Sequence, residues 1–134
     1  MPKQIVTSSN APTTGFTPGQ SVSPLAQGIR FGKMLFVSGT GSLDPATGAV
    51  VPGDIAVQTR QTLDNLMSVL EAAGATAKNI VNVRVILRNV ADFPRFNETF
   101  REYFEGEKVT RTCFGGVLHR AGTDIEIDCV AMFD

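Results

Sequence analysis

Apolar and polar side chains alternate with a period of two in several parts of the chain. This period is clearest at 80–87 and 124–133, and it is the period of a β-strand, whose successive side chains point to opposite faces of a sheet. In the segment 124–133 it places Glu126 and Asp128 opposite an apolar set that begins at Ile125. The predicted strands are 3–7, 27–31, 34–38, 80–87, 109–114 and 124–133.

Two other segments repeat their apolar residues at steps of three and four, the period of a helix. After Asp54, an expected N-cap, an apolar stripe predicts a helix of about five turns that ends near Gly74. A stripe of phenylalanines predicts a second helix over 91–104 on the same core. The two stripes are Leu63, Leu66, Met67 and Leu70, and Phe93, Phe96, Phe100 and Phe104.

The order of these elements is strands, helix, strand, helix, strands. This order predicts an α+β fold in which two helices cover one face of a mixed β-sheet. The 134 residues suit a single domain spanning 1–134. Because the other sheet face carries both apolar and charged side chains, we expect the chain to form an oligomer.

Charge and composition argue against several classes of protein. Twelve basic and thirteen acidic residues give a net charge of −1, without the basic excess that is typical of nucleic-acid binders. No apolar run approaches the roughly 20 residues that span a bilayer, and the N-terminus lacks an apolar secretion signal, so we expect a cytoplasmic protein. Two cysteines and one histidine, His119, do not make a convincing zinc site, and no bound metal is expected.

Charged side chains of the last two predicted strands are the first candidates for chemistry. Arg111 and Cys113 project to one side of their strand, and Glu126 and Asp128 to one side of the next. If these strands pair as neighbours, a guanidinium, a thiol and carboxylates line one surface. An arginine fork suits a small carboxylate substrate, and a glutamate can orient or deprotonate a water molecule. The alternative is an ordinary cross-strand ion pair, which contributes only about 0–1 kcal/mol when exposed.

Short segments along almost the whole chain, from about Ser23 to Met132, match a known pattern. They are Leu35–Gly39, Asp44–Gly48, Gln58–Leu66, Leu70–Gly74, Asp92-Phe93 with Asn97 and Tyr103-Phe104, Arg111–Cys113 and Ile125–Asp128. Any one of them is weak evidence, but together and in this order they are specific. They resemble the Rid family of reactive intermediate deaminases, also called YjgF.

The resemblance implies a chorismate-mutase-like α+β fold and a homotrimer with sites between subunits. It also implies hydrolysis of 2-imino acids, the tautomers of reactive enamines, to 2-oxo acids and ammonia, with no cofactor and no metal. By the same resemblance, Arg111 grips the substrate carboxylate and Glu126 positions the attacking water. An imine carbon is already electrophilic, so a clamp and an aimed water are enough for this reaction.

Further residues match positions that line the family's site. Ser38 and Asn97 match side-chain positions, and Gly39 offers a backbone amide nearby. Cys113 matches a cysteine that is expected to meet the substrate through its backbone. Leu25 stands where many active members carry a tyrosine, and the loop 117–122 differs from the usual short proline-containing version.

These departures leave alternatives open. The favoured expectation is a general imine deaminase. The alternatives are a dedicated catabolic enzyme for an aminomuconate-type enamine and a trimer that binds small carboxylates without turnover. Glu126 favours catalysis, since a carboxylate binder gains little from a second negative charge. A ribonuclease, an activity ascribed to some relatives, is disfavoured because a lone histidine and a net charge of −1 supply neither an acid–base pair nor a basic groove.

Overall fold

Six strands and two helices make up the computed structural model, which describes residues 2–12 and 23–134. Their order along the chain is three strands, a helix, a strand, a helix and two strands, as the periodicity predicted. The strands are β1 (Gln4–Val6), β2 (Gly28–Phe31), β3 (Met34–Gly41), β4 (Ile80–Leu87), β5 (Thr110–Gly115) and β6 (Ile125–Met132).

Both helices form where the apolar stripes predicted them. Helix α1 covers Ile55–Ala72, and the Asp54 side chain caps it by accepting a hydrogen bond from the Val57 amide. Helix α2 covers Phe93–Tyr103 and follows a short 3₁₀ turn at Val90–Asp92. The two helices pack against each other and lie on one face of the sheet, so the expected α+β class is confirmed.

The strand order in the sheet is β1-β2-β3-β6-β4-β5. Strand β4 runs antiparallel to β6 on one side and parallel to β5 on the other. The last two strands are therefore not neighbours, and the conditional expectation that Arg111, Cys113, Glu126 and Asp128 share one surface is wrong. The cause is topological, because a strand from the middle of the chain is inserted between the two strands that end it.

The core lies between the helices and one face of the sheet. Strand β6 contributes the alternating set that its sequence predicted, and three of the four phenylalanines in the second stripe are buried, namely Phe96, Phe100 and the C-cap residue Phe104. Phe93 is the exception, because it remains 38% exposed at the start of α2 rather than packing in the core. Fully buried members are Leu35, Leu63, Leu66, Leu70, Val83, Val85, Phe96, Ile125 and Ile127.

The other face of the sheet is open and partly apolar. Phe36 pairs with Val130 across β3 and β6, Met34 pairs with Met132, and Phe36 is 45% exposed. Asp128 accepts two hydrogen bonds from the Arg84 guanidinium on the same face, at 2.7 and 3.0 Å. None of the helices in the described ranges is long and apolar enough to cross a membrane.

Strand β3 is longer than its sequence suggested. The predicted strand ended at Ser38, whereas Gly39 and Gly41 lie inside the observed one. The pairing with β6 shifts register between Val37 and Thr40, which is the mark of a β-bulge. This irregularity is where the backbone of β3 approaches a side chain of β6.

Candidate active site

The Arg111 guanidinium lies between β5 and α2. Arg111 pairs with the buried residue Val83, so its side chain points to the helix face of the sheet. Its Nη1 donates a hydrogen bond of 2.9 Å to the Asn97 side-chain oxygen. Its Cζ lies 4.8–5.5 Å from the centroids of three phenylalanine rings of α2, those of Phe93, Phe96 and Phe100. These contacts fix the guanidinium, and each ring adds an electrostatic attraction of about 0.5–2 kcal/mol.

The contact with Arg111 also explains the position of Phe93. Its ring lies at the rim of the core, where it covers the guanidinium, instead of filling the interior. The stripe of phenylalanines was predicted to be packing alone, and its second role as a platform for Arg111 was missed. The helical spacing of the four rings was the available signal, but it does not reveal which strand faces them.

Arg111 makes no ion pair with a carboxylate anywhere in the described part of the chain. Apart from the bond to Asn97, its donors have no acceptor among these residues. Cys113 lies two residues along the same strand and is half-buried. Burial raises the pKa of the Cys113 thiol, and Arg111 partly offsets this effect, so the thiol is protonated at neutral pH.

Glu126 occupies the open face of the sheet, next to the bulge in β3. A Cβ built on Gly39 would lie only 2.9 Å from the Glu126 carboxyl carbon and from one of its oxygens. Only glycine therefore allows the carboxylate to rest against the β3 backbone in this position. Glu126 has no hydrogen-bond partner or ion-pair partner among residues 2–12 and 23–134.

A cavity of about 140 Å³ opens beside this carboxylate. Its wall includes Glu126, Gly39 and Leu25, three residues that the sequence named for the site. Leu25 is 59% exposed at the mouth and gives the wall an apolar side. Ser38 is next to Gly39, but its hydroxyl donates a 2.6 Å hydrogen bond to the Ala26 carbonyl, which holds the preceding segment against β3.

The candidate residues thus form two separate groups within one chain. Arg111, Asn97 and Cys113 lie on the helix face at the edge strand β5, whereas Glu126 lies on the open face together with Gly39. Strand β4 and the thickness of the sheet separate the groups. One chain alone does not bring the guanidinium to the carboxylate.

The loop between β5 and β6 contributes residues that the sequence did not assign to a site. Leu118, His119, Arg120 and Thr123 line the same cavity as Glu126. His119 is exposed, as expected, although it stands at the rim of the cavity. In the described ranges, no three His, Cys, Asp or Glu side chains cluster in a way that could hold a metal ion.

Comparison with known families identifies the class of protein to which this fold and these residues belong. The family model described as Endoribonuclease L-PSP matches residues 17–133. The chain therefore belongs to this family, also known as YjgF or Rid, as its resemblance in sequence implied.

Individual relatives agree with this assignment. A RutC family protein from Pyrococcus horikoshii is 36% identical and covers 96% of this chain and 97% of its own. The human 2-iminobutanoate/2-iminopropanoate deaminase is 31% identical, covering 90% of this chain and 87% of its own. The crystal structure of the YjgF gene product from E. coli superimposes with a TM-score of 0.86 at 30% identity, covering 98% of this chain and 99% of that one.

Proposed function

We propose that this protein hydrolyses 2-imino acids to 2-oxo acids and ammonia at sites formed between the subunits of a homotrimer. The observation that carries the proposal is the pair of unpartnered charges. The Arg111 guanidinium is held by Asn97 and three phenyl rings, and Glu126 is held against Gly39, but within the described residues neither makes an ion pair. The relative named as an imine deaminase supports the reaction class.

The roles of the two groups follow from their chemistry. Arg111 binds the carboxylate of the 2-imino acid through a bidentate pair, which fixes the C=N bond. Glu126 accepts a proton from a water molecule while the water oxygen bonds to the imine carbon, and the imine nitrogen takes up a proton. The resulting carbinolamine releases ammonia as its C–N bond breaks and the C=O bond forms. Water and imine are the only reactants, and the proposed reaction uses no cofactor.

A site between subunits resolves the separation of the two groups. The Arg111 surface lies on the helix side of one chain, and the Glu126 cavity lies on the open sheet face, so a second copy must bring one surface to the other. The half-exposed Phe36 and Met132 on that face would be covered by such a contact. Repeated contact between two different surfaces forms a ring when the rotation between neighbouring chains closes, and the family resemblance implies a closed ring of three.

The test uses freshly generated 2-iminobutanoate and 2-iminopropanoate, with ammonia release as the readout. We expect the native protein to accelerate the release, and Arg111→Ala and Glu126→Gln each to lose most of it while remaining folded. Absence of acceleration by folded native protein would overturn the proposal for these substrates. Binding of 2-oxobutanoate without any turnover would instead indicate a carboxylate-binding protein.

Mixed assemblies test the position of the site. If each site takes Arg111 from one chain and Glu126 from another, equal co-expression of the two inactive variants should restore about a quarter of native activity, because one interface in four carries both intact residues. If each site lay within one chain, the mixture would remain inactive. The oligomeric state is measured in parallel by light scattering, with a trimer expected.

A further inference from the structure

We propose that Arg120 makes the cavity beside Glu126 a binding site for a second carboxylate, so that the favoured substrates are 2-imino dicarboxylates. This inference rests on the proposed function, since it assigns the far end of the substrate that Arg111 grips at the near end. It concerns the loop between β5 and β6, where the sequence reads Val117-Leu118-His119-Arg120-Ala121-Gly122.

The Arg120 side chain lies at the cavity and, among the described residues, makes no contact of its own that stabilises the fold through a hydrogen bond or an ion pair. It lines the same wall as Glu126 and Leu25, and its side chain is only half-exposed. Across the described ranges its guanidinium donates no hydrogen bond and makes no ion pair, not even with Glu126. An arginine fork that is free at a cavity wall has the geometry to bind a carboxylate through two hydrogen bonds.

The backbone of the loop that carries Arg120 is held in place by the side chain of another arginine, Arg88. Arg88 donates hydrogen bonds to the backbone carbonyls of Arg120, at 3.2 Å, and of Thr123, at 3.0 and 3.1 Å. Asp124 anchors the end of the loop, through an ion pair of 3.4 Å to Arg88 and hydrogen bonds to Gln58. Because the backbone is held at these points, the loop that presents Arg120 to the cavity is ordered before a ligand binds.

Charge balance favours a carboxylate over a more highly charged group. Glu126 shares the cavity, so an incoming anion is repelled in proportion to its charge, and a carboxylate of charge −1 is repelled less than a phosphate dianion. With Arg111, Arg120, Glu126 and the first carboxylate in the site, a second carboxylate leaves one net negative charge, whereas a phosphate dianion would leave two.

The experiment compares the native protein, Arg120→Gln and the matched charge control Arg95→Gln, whose side chain lies on α2 away from the cavity and pairs with Asp54. Each is assayed for ammonia release from freshly generated 2-iminoglutarate, 2-iminosuccinate and 2-iminobutanoate. Loss of a charge-assisted pair predicts that Arg120→Gln lowers kcat/KM for at least one dicarboxylate about tenfold or more. The loss with 2-iminobutanoate should be clearly smaller than the loss with that dicarboxylate, so that the ratio of the two kcat/KM values falls, and Arg95→Gln should change neither the three rates nor this ratio.

A binding measurement separates failure of this inference from failure of the proposed reaction. Calorimetric titration with 2-oxoglutarate and 2-oxobutanoate needs no turnover. We expect native protein to bind 2-oxoglutarate at least fivefold more tightly, and Arg120→Gln to abolish that preference. Equal affinity of native protein for the two acids, or a preference that survives in Arg120→Gln, would overturn the assignment of Arg120 whether or not imines are hydrolysed.

Discussion

Replacement of Gly39 by alanine should reduce catalysis without a matching loss of stability. The added Cβ would lie 2.9 Å from the Glu126 carboxyl carbon, whereas an ordinary carbon–carbon contact begins at about 3.5 Å, so the carboxylate must move by roughly 0.6 Å. A misplacement of about 1 Å in a catalytic group can cost about a hundredfold in rate. We therefore expect kcat/KM for 2-iminobutanoate to fall about ten- to a hundredfold in Gly39→Ala.

Stability should be nearly unchanged, because the backbone of Gly39 is not in the left-handed region and accepts alanine. The smaller conformational entropy of the unfolded chain favours the variant by about 0.4–1 kcal/mol and offsets part of the crowding. Urea unfolding measures this balance. Gly41→Ala is the matched control in the same strand, since its Cβ would face the Thr123 methyl group at 3.3 Å and not Glu126. We expect it to lose less activity than Gly39→Ala.

A double-mutant cycle then tests whether the loss acts through the carboxylate. Glu126→Asp shortens the side chain by one methylene and withdraws the carboxylate on its own. In the Gly39→Ala background the shorter side chain avoids the added Cβ, so the two losses in activity should not add. Full activity of Gly39→Ala, strict additivity of the two losses, or a loss of activity that parallels a loss of stability would each refute this reasoning.

Three further predictions concern the other contacts of the fold and the site. Asn97→Ala removes the 2.9 Å hydrogen bond to Arg111 and should lower kcat/KM about tenfold. Asn97→Asp should hold the guanidinium in an ion pair and lower kcat/KM further. An Asp variant as active as the native protein would contradict this prediction. Gln27→Ala removes side-chain hydrogen bonds to the backbone of Ser8, Ala11 and Pro12, and should lower the free energy of unfolding by about 2–3 kcal/mol in urea titration. A substitution at an exposed position without such bonds should leave the free energy of unfolding unchanged. Burial raises the pKa of Cys129 to about 12 from an unfolded value near 8.5, so the unfolded state loses this proton first as pH rises. Its contribution to stability is thus present below about pH 8.5, and between pH 8 and 9.5 the free energy of unfolding should fall by about 1 kcal/mol, a decline that Cys129→Ala should reduce.

Local order was largely predictable from the sequence. Periodicity placed α1, α2 and β6, and the N-cap at Asp54 is the residue the pattern indicated. These features depend on residues one or two turns away, so the local sequence is enough to predict them. The alternation in β6 also placed Ile125 and the apolar residues that alternate with it on one face, and Glu126 on the other. Successive side chains of a strand point to opposite faces, so the position of a residue in the strand determines its face.

Relations between distant strands were not predictable in the same way. The period of β5 groups Arg111 with Cys113 but does not say that β4 separates this strand from β6, which turns an expected single surface into two. Nor does the sequence show that Gly39 lies inside β3 with a carboxylate against it, since glycine marks the end of a strand as often as a close approach within one. Both facts arise from non-local pairing, and only the family resemblance linked Arg111 to Glu126.

The separation of the two charged groups bears on how activity depends on assembly. In the isolated chain Arg111 is partly desolvated against aromatic rings, and within the described residues neither Arg111 nor Glu126 makes an ion pair. Each group is costly to hold in this way, and a neighbouring chain that supplied the opposite charge would lower this cost and complete the proposed site. The same contact would cover Phe36 and the apolar part of the open face. On the proposed function, catalysis and association would therefore have the same cause, because the contact that pairs the two charged groups would also form the site in which an imine is bound and attacked.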